Sequence, residues 1–398
     1  MKSRGTSTPP GALTRLRGAR STVCGRRVAL PSLVALAALT SQVALAAPAA
    51  VPVAAAPVGG TTRAYRLEPT AESGYRLQPG SVPLRTPGAR EVLIRVRASS
   101  LNRRDLSILQ RRYGGDDHAG RIPLSDGAGE VLAVGAGASK WRPGDRVMAN
   151  FFPDWTGGKP TEANVRSALG GELDGMLAEQ VVLHEDALVR IPAHLSFEQA
   201  ATLPCAGLTA WNGLMRAGPI GPADTVLVQG TGGVSIFGLQ IARAAGSRVA
   251  ITSSSDAKLA RAKTLGATIL VNYRTTPEWQ RAVLEQTGGR GVDRVLEVGG
   301  KDTLPRAVEV LAYGGNLALI GGLSGFGGEI PGVALLGRSA TASGIYVGSR
   351  AEFEQFAAFV ERHRLVPVID RTFPFEHAAE AYALMASGEH FGKIVIRH

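Results

Sequence analysis

The stretch Thr225-Val-Leu-Val-Gln-Gly-Thr-Gly-Gly-Val-Ser-Ile-Phe-Gly-Leu-Gln-Ile-Ala-Arg-Ala-Ala-Gly246 reads as a strand, a glycine turn and a helix. Thr225 to Gln229 is short, β-branched and apolar, the pattern of a strand covered on both faces. Val234, Phe237, Ile241 and Ala245 recur at helical spacing, and Gly246 stands where a C-terminal cap belongs. Between strand and helix, Gly230-Thr-Gly-Gly-Val-Ser235 keeps the first two glycines of the dinucleotide fingerprint G-x-G-x-x-G and places Ser235 at the third. Gly230 permits the tight turn, and Gly232 lets the backbone approach a pyrophosphate, with Gly233 and Val234 in the same seat. Free N–H groups and the dipole at the helix start favour such an anion. Ser235 is expected only to widen the helix–strand contact slightly. Taken alone the fingerprint is weak, because a plain strand–helix turn looks similar.

From residue 197 onward strands and helices alternate. Strands are expected at 248–252, 267–273, 292–298 and 316–320, with a sixth near 341–346 and helices at 256–265, 278–287 and 303–311 between them. This is a doubly wound parallel sheet in one copy. Residues 61–190 differ: 91–98 alternates as a strand, 127–135 reads as a glycine-rich strand pair, and 141–147 is a turn entering another strand. Short strands with Pro-Gly turns imply a small β-barrel-like domain. The tail, with helices at 352–363 and 376–387 and strands at 366–373 and 393–397, is expected to return onto that domain.

A chain of 398 residues, 44% hydrophobic, is long enough for two domains with substantial cores. The net charge of +11 is concentrated at the N-terminus: Lys2, Arg4, Arg15, Arg17, Arg20, Arg26 and Arg27 face no acidic residue in 1–46, leaving +4 for the rest. That is an ordinary surface with no basic stripe, which argues against nucleic acid. The basic run to Arg27, the apolar run 28–47 and the small-x-small Ala44-Leu45-Ala46 read as a signal peptide over 1–46. Pro31 and Thr40-Ser41-Gln42 interrupt the run, so a lasting membrane span is not expected. Arg26-Arg27 resembles a twin-arginine signal, which implies a periplasmic protein; a start codon placed too far upstream would make it cytoplasmic instead. Residues 47–62 read as a disordered linker. Of the two cysteines, Cys24 lies in the leader, so Cys205 has no partner for an internal disulfide.

From residue 63 to the end the chain resembles the medium-chain dehydrogenase/reductase superfamily. The motifs are Ala98-Ser-Ser-Leu-Asn-Arg-Arg-Asp105, Asp126-Gly-Ala-Gly-Glu-Val131, Arg142-Pro-Gly-Asp-Arg146, Ala200-Ala-Thr-Leu-Pro-Cys-Ala-Gly207 and His390-Phe-Gly-Lys393. The resemblance implies an α/β fold: a GroES-like β-rich catalytic domain over 63–195, completed by 350–398, and a Rossmann doubly wound parallel sheet over 196–349. It is similar to the zinc-free quinone oxidoreductase and enoyl reductase branches. Where zinc-dependent relatives place Cys, His and Cys around a catalytic metal, this chain has Asn102, Ser125 and Cys205, and the four-cysteine structural lobe is missing. One thiolate does not hold catalytic zinc, so no metal site is assigned. Hydride transfer to an already electrophilic small molecule then fits, because conjugation spreads the incoming charge.

Past the second strand, Ser253, Ser254 and the cation Lys258 suit the 2′-phosphate of NADP(H), with Arg261 one turn on and Tyr273 flanking. Ser253 to Ser255 also read as a helix cap, and Asp256 would serve as the ribose acid of an NAD site if the strand ended later. By resemblance, Asn102 and Asp105 pack the first domain against the nicotinamide and are the catalytic candidates. Thr209, then Gly321, Gly322 and Leu323, then Val347, Gly348 and Ser349 are further cofactor contacts. Gly392 and Lys393 reach the cofactor across the cleft. Glu297 reads as a hydrogen-bonded strand-end carboxylate, and Arg103 and Arg104 make the pocket more polar than in close relatives. A homodimer joined edge to edge through the Rossmann sheet is implied. Three functions remain open: an NADPH-dependent reductase of quinones or α,β-unsaturated carbonyls, an NAD(P)-dependent alcohol dehydrogenase, and an NADPH-binding redox sensor without turnover.

Overall fold

The computed structural model describes residues 59–398 apart from residues 115, 116 and 331, so the leader falls outside the described residues. The chain starts with the antiparallel strands β1 (Gly60–Pro69) and β2 (Tyr75–Leu84). Residues 60–62, expected in the linker, belong to β1: Thr62 is buried and pairs with Val82. Then come β3 (Glu91–Ser100), β4 (Asp126–Val134), β5 (Arg146–Ala149), β6 (Gln180–His184) and β7 (Leu188–Arg190). The Rossmann strands are β8 (Thr225–Gln229), β9 (Arg248–Ser253), β10 (Ile269–Asn272), β11 (Val292–Glu297), β12 (Leu311–Leu319) and β13 (Thr341–Gly344). The tail supplies β14 (Ile369–Pro374) and β15 (Lys393–Arg397).

Strands β8 to β13 form one parallel sheet in the order β10-β9-β8-β11-β12-β13. The order reverses between β8 and β11, and the crevice at their carboxyl ends is where such sheets bind ligands. All five residues of β8 are buried, as a doubly covered strand requires. The second sheet runs β14-β15-β3-β4-β5-β7, with β6 also on β3, so the tail does return: β15 pairs antiparallel with β3. Residues 127–135, read as a strand pair, lie mostly in the single strand β4. The glycines there serve close approach rather than a turn. A Cβ on Gly129 would stand 2.1 Å from the Arg95 carbonyl oxygen, and the β3–β4 register slips twice beside it.

One apolar core joins the parts. Phe151, Phe152 and Trp155 pack in the same cluster as Val228, Phe237, Phe353 and Phe356, which ties the cleft loop (residues 150–179), the Rossmann sheet and the tail helix Arg350–Arg362 together. Truncating a ring such as Phe237 would cost about 3–5 kcal/mol. Among the described residues no helix is long and apolar enough to cross a membrane.

Candidate active site

At the carboxyl end of β8, Gly230 adopts φ +72°, open to glycine without strain, and Gly232 starts the helix Gly233–Ala244 as its N-cap. A Cβ at either position would meet nothing within 4 Å, so the turn leaves the open seat a diphosphate needs. Ser235 does more than widen the contact: its hydroxyl donates to the Gln229 carbonyl at 2.5 Å, tying helix to strand. Close approach falls instead to Gly238, where a Cβ would lie 2.5 Å from Leu296 and 3.0 Å from Val228. The tail closes the turn from outside, for the Gly392 amide donates to the Thr231 carbonyl at 2.9 Å and Gly392 bridges Gly232. Next to it the Lys393 stem runs against Gly233, where a Cβ would stand 2.7 Å from Cδ.

At the end of β9, Ser253 is buried and the Tyr273 amide donates to its carbonyl at 3.0 Å, which brings residues 253 and 273 together. Ser255, not Ser253 or Ser254, caps the next helix by accepting from the Lys258 amide at 3.4 Å. Asp256 lies inside that helix, exposed, and its carboxylate accepts from Asn272 Nδ2 at 2.8 Å. Strand β9 ends at Ser253, before Asp256. Lys258 departs from expectation: its ammonium donates to the Gly388 carbonyl at 2.8 Å, and burial lowers its pKa. Arg261 pairs with Asp370 at 3.1 Å and stacks over Phe391 at 4.2 Å.

Across the cleft a buried polar cluster joins four segments. Asn102 is the N-cap of the helix Arg103–Leu109, and Asp105 reaches back to accept from the Asn102 amide at 2.8 Å. Lys393 Nζ donates to Asn102 Oδ1 and to the Leu101 carbonyl, both at 2.6 Å. Asn102 Nδ2 reaches Ser125 Oγ at 3.5 Å, Ser125 donates to Asp126 at 2.8 Å, and the Cys205 amide donates to Asp126 at 3.3 Å. Asn102, Ser125 and Cys205 thus converge through this network. Among the described residues no group of three or more His, Cys, Asp or Glu is placed to hold a metal, and this donor set does not fit zinc. Burial pushes the Asp126 carboxyl up despite Lys393, and burial pushes the Cys205 thiol up as well. Asp105 is pushed up to about 6, by burial first, with Arg104 opposing and Asp126 adding.

Sequence reading missed what Arg104 does. Only 7% of its side chain is exposed; Nη1 donates to the Leu169 carbonyl at 2.8 Å and to Asp105 at 3.3 Å. The guanidinium lies 4.9 Å from the Phe151 ring and 5.2 Å from the Tyr113 ring. Among the described residues Nε and Nη2 have no partner, at a cost of about 1–3 kcal/mol for each buried donor left unmade. His118 Nε2 and Glu172 Oε2 nearby are also unpartnered. Tyr346, its phenol pushed up to about 12 by burial with help from Tyr113 and Glu172, closes the group. The only sequence signal was two arginines where apolar residues are usual.

The remaining candidates divide. Thr209 is buried in the helix Leu208–Met215, directly after the π-helical turn Leu203–Gly207. Gly321, Gly322 and Leu323 follow β12 at its carboxyl end, with Leu323 58% exposed. Val347 holds φ +49°, and its carbonyl accepts from Asn212 Nδ2 at 2.7 Å; at Gly348 a Cβ would stand 2.3 Å from that amide. Ser349 is used differently from the expectation. It is buried and caps the helix Arg350–Arg362 through a reciprocal pair with Glu352, so its hydroxyl is already engaged. Glu297 is the satisfied carboxylate foreseen, accepting from Gln229 Nε2 and Thr303 Oγ1 at 2.6 Å and from the Gly299 amide at 2.8 Å.

Residues 88–193 match the family model described as alcohol dehydrogenase GroES-like domain, and residues 233–362 the one described as zinc-binding dehydrogenase. A zinc-type alcohol dehydrogenase-like protein of Schizosaccharomyces pombe is 44% identical over 314 residues, covering 77% of this chain and 90% of that protein. Among solved structures, an NAD-dependent alcohol dehydrogenase is 34% identical with TM-score 0.76, covering 84% of this chain and 99% of that one. A 2-octenoyl-CoA carboxylase reductase in complex with NADP and 2-octenoyl-CoA is 25% identical with TM-score 0.75, covering 86% and 89%. With the sheet order, the glycine turn and the returning tail, these matches establish that the chain belongs to the medium-chain dehydrogenase/reductase superfamily and is an NAD(P)-dependent oxidoreductase of that family.

Proposed function

We propose that this protein is a zinc-independent, NADPH-dependent reductase that transfers a hydride to a quinone or an α,β-unsaturated carbonyl. The observation that carries the reading is the Lys393–Asn102–Ser125–Asp126 network, which fills the place of a metal with hydrogen-bonded side chains and leaves one thiol, Cys205. When bound, the coenzyme supplies the hydride. The chain's own residues bind, orient and exclude water: Gly230, Gly232 and Gly233 seat the diphosphate, Gly392 and Lys393 fasten the tail over it, and Lys393 holds the Asn102 amide beside the turn. Ser253, Ser254 and Tyr273 at the ends of β9 and β10 support a 2′-phosphate, as does the engagement of Asp256 by Asn272. Asp105 acts by positioning Asn102 rather than by touching substrate.

The test is oxidation of NADPH and of NADH with a panel of quinones and enones, run beside metal analysis of the purified protein. NADPH turnover without bound zinc is the expected result. Stoichiometric zinc with alcohol oxidation would favour the alcohol dehydrogenase reading, which the zinc-binding family model and the NAD-dependent structural relative support. Binding without turnover on any acceptor would favour the redox sensor. The homodimer is proposed on the free edge of β13 and the exposed Tyr313, Phe326, Val333 and Leu336, and light scattering reads it directly.

A further inference from the structure

Arg104 is buried with part of its guanidinium unpaired among the described residues. The rings of Phe151 and Tyr113 lie against it, and Nη1 is engaged by Leu169 and Asp105. What remains is the edge formed by Nε and Nη2, neither of which has a partner, on a side chain that is 7% exposed. His118, 5% exposed, stands across Gly171: its Nδ1 is 3.3 Å from the Gly171 carbonyl oxygen and its Nε2 is unpartnered. Gly171 is what lets the guanidinium lie here, since a Cβ would sit 2.5 Å from Nη2. The group adjoins the buried cluster at Asn102, for Nη1 reaches Asp105 at 3.3 Å and the same carboxylate accepts from the Asn102 amide at 2.8 Å.

Two parallel N–H groups in one plane match the two oxygens of a carboxylate, whereas a lone ketone oxygen takes one and leaves the other unmade. Exclusion of water strengthens that pairing. We propose that Arg104 determines specificity and that the substrate carries a carboxylate beside its conjugated carbonyl, held by the Nε–Nη2 edge. This inference rests on reading the cleft as a reductase site.

Benzoylacrylate and its methyl ester, the same enone with and without the charge, test it. The wild-type protein is expected to prefer the acid by about tenfold or more in kcat/KM, with Arg104→Met bringing the two to parity through KM and Arg104→Lys keeping part of the preference. Calorimetry adds a readout free of turnover: the saturated acid benzoylpropionate should bind the NADP-loaded protein, and about tenfold more weakly with Arg104→Met. Reduction of both compounds with no preference for the acid overturns this inference and leaves the reductase reading standing. Arg104-dependent binding of benzoylpropionate with no reduction of either enone sinks the reductase reading and leaves this one. Should Arg104→Met lose its near-ultraviolet dichroism, the wild-type acid-to-ester ratio and Arg104→Lys decide.

Discussion

Lys393 Nζ donates to Asn102 Oδ1 at 2.6 Å, and the same ammonium stands 3.7 Å from Asp126, so one buried cation pins the tail strand to the start of the helix Arg103–Leu109. Lys393→Met removes the charge while keeping most of the stem and leaves Asp126 buried without its partner. The expected loss is about 3–5 kcal/mol in urea unfolding, partly recovered by adding Asp126→Asn. A loss below about 1 kcal/mol would show that the cluster contributes little to holding the tail.

Gly232→Val separates coenzyme binding from folding. Gly232 has ordinary extended backbone, and a Cβ there meets no protein atom, so the melting temperature should hardly move. The added methyl groups point into the diphosphate seat, and the Kd for NADPH by fluorescence titration should rise at least tenfold, about 1.4 kcal/mol. An unchanged Kd would place the diphosphate elsewhere.

Ser254→Asp puts a carboxylate at the end of β9, where an acid hydrogen-bonds a ribose hydroxyl and repels a 2′-phosphate. The ratio of Kd for NADH to Kd for NADPH should fall by about tenfold or more, mostly through weaker NADPH binding. Equal losses for both coenzymes would count against the assignment of this corner.

The Asp105 carboxyl, raised by burial from 3.8 to about 6, gives stability a pH dependence. Between those values the folded protein keeps a proton that the unfolded chain has released. The resulting contribution is fully present below the unfolded value and is lost as pH rises through the folded one. Relative to Asp105→Asn, the wild-type protein should lose on the order of 3 kcal/mol across that window, at about 1.4 kcal/mol per pKa unit. Chemical denaturation at a series of pH values reads the difference; a flat difference would mean Asp105 stays ionised throughout.

The nucleotide fold was legible because residues 225–246 carry local signals: β-branching, helical spacing and a glycine at positive φ all act within a few residues. The meeting of Asn102, Ser125, Cys205 and Lys393 could be read only through the family resemblance, since the network spans distant segments. Residues 127–135 misled because glycine marks both turns and close approach, and only the neighbour Arg95 on β3 tells them apart. Arg104 was opaque for the same reason. Its ring partner Phe151 and its acceptor Leu169 come from the cleft loop, which has no periodicity to place it. The contacts of Lys258 with Gly388 and of Ser349 with Glu352 were equally hidden, because each partner lies on a different turn or segment from the one the pattern describes.

The amide of Gly392 bonded to the carbonyl of Thr231 bears on how the protein is made. Residue 392 leaves the ribosome long after residue 232, so a nascent chain can build the whole parallel sheet and still present an unfinished coenzyme seat. The bond that fastens the tail to the glycine turn is therefore one that only a nearly complete chain can make.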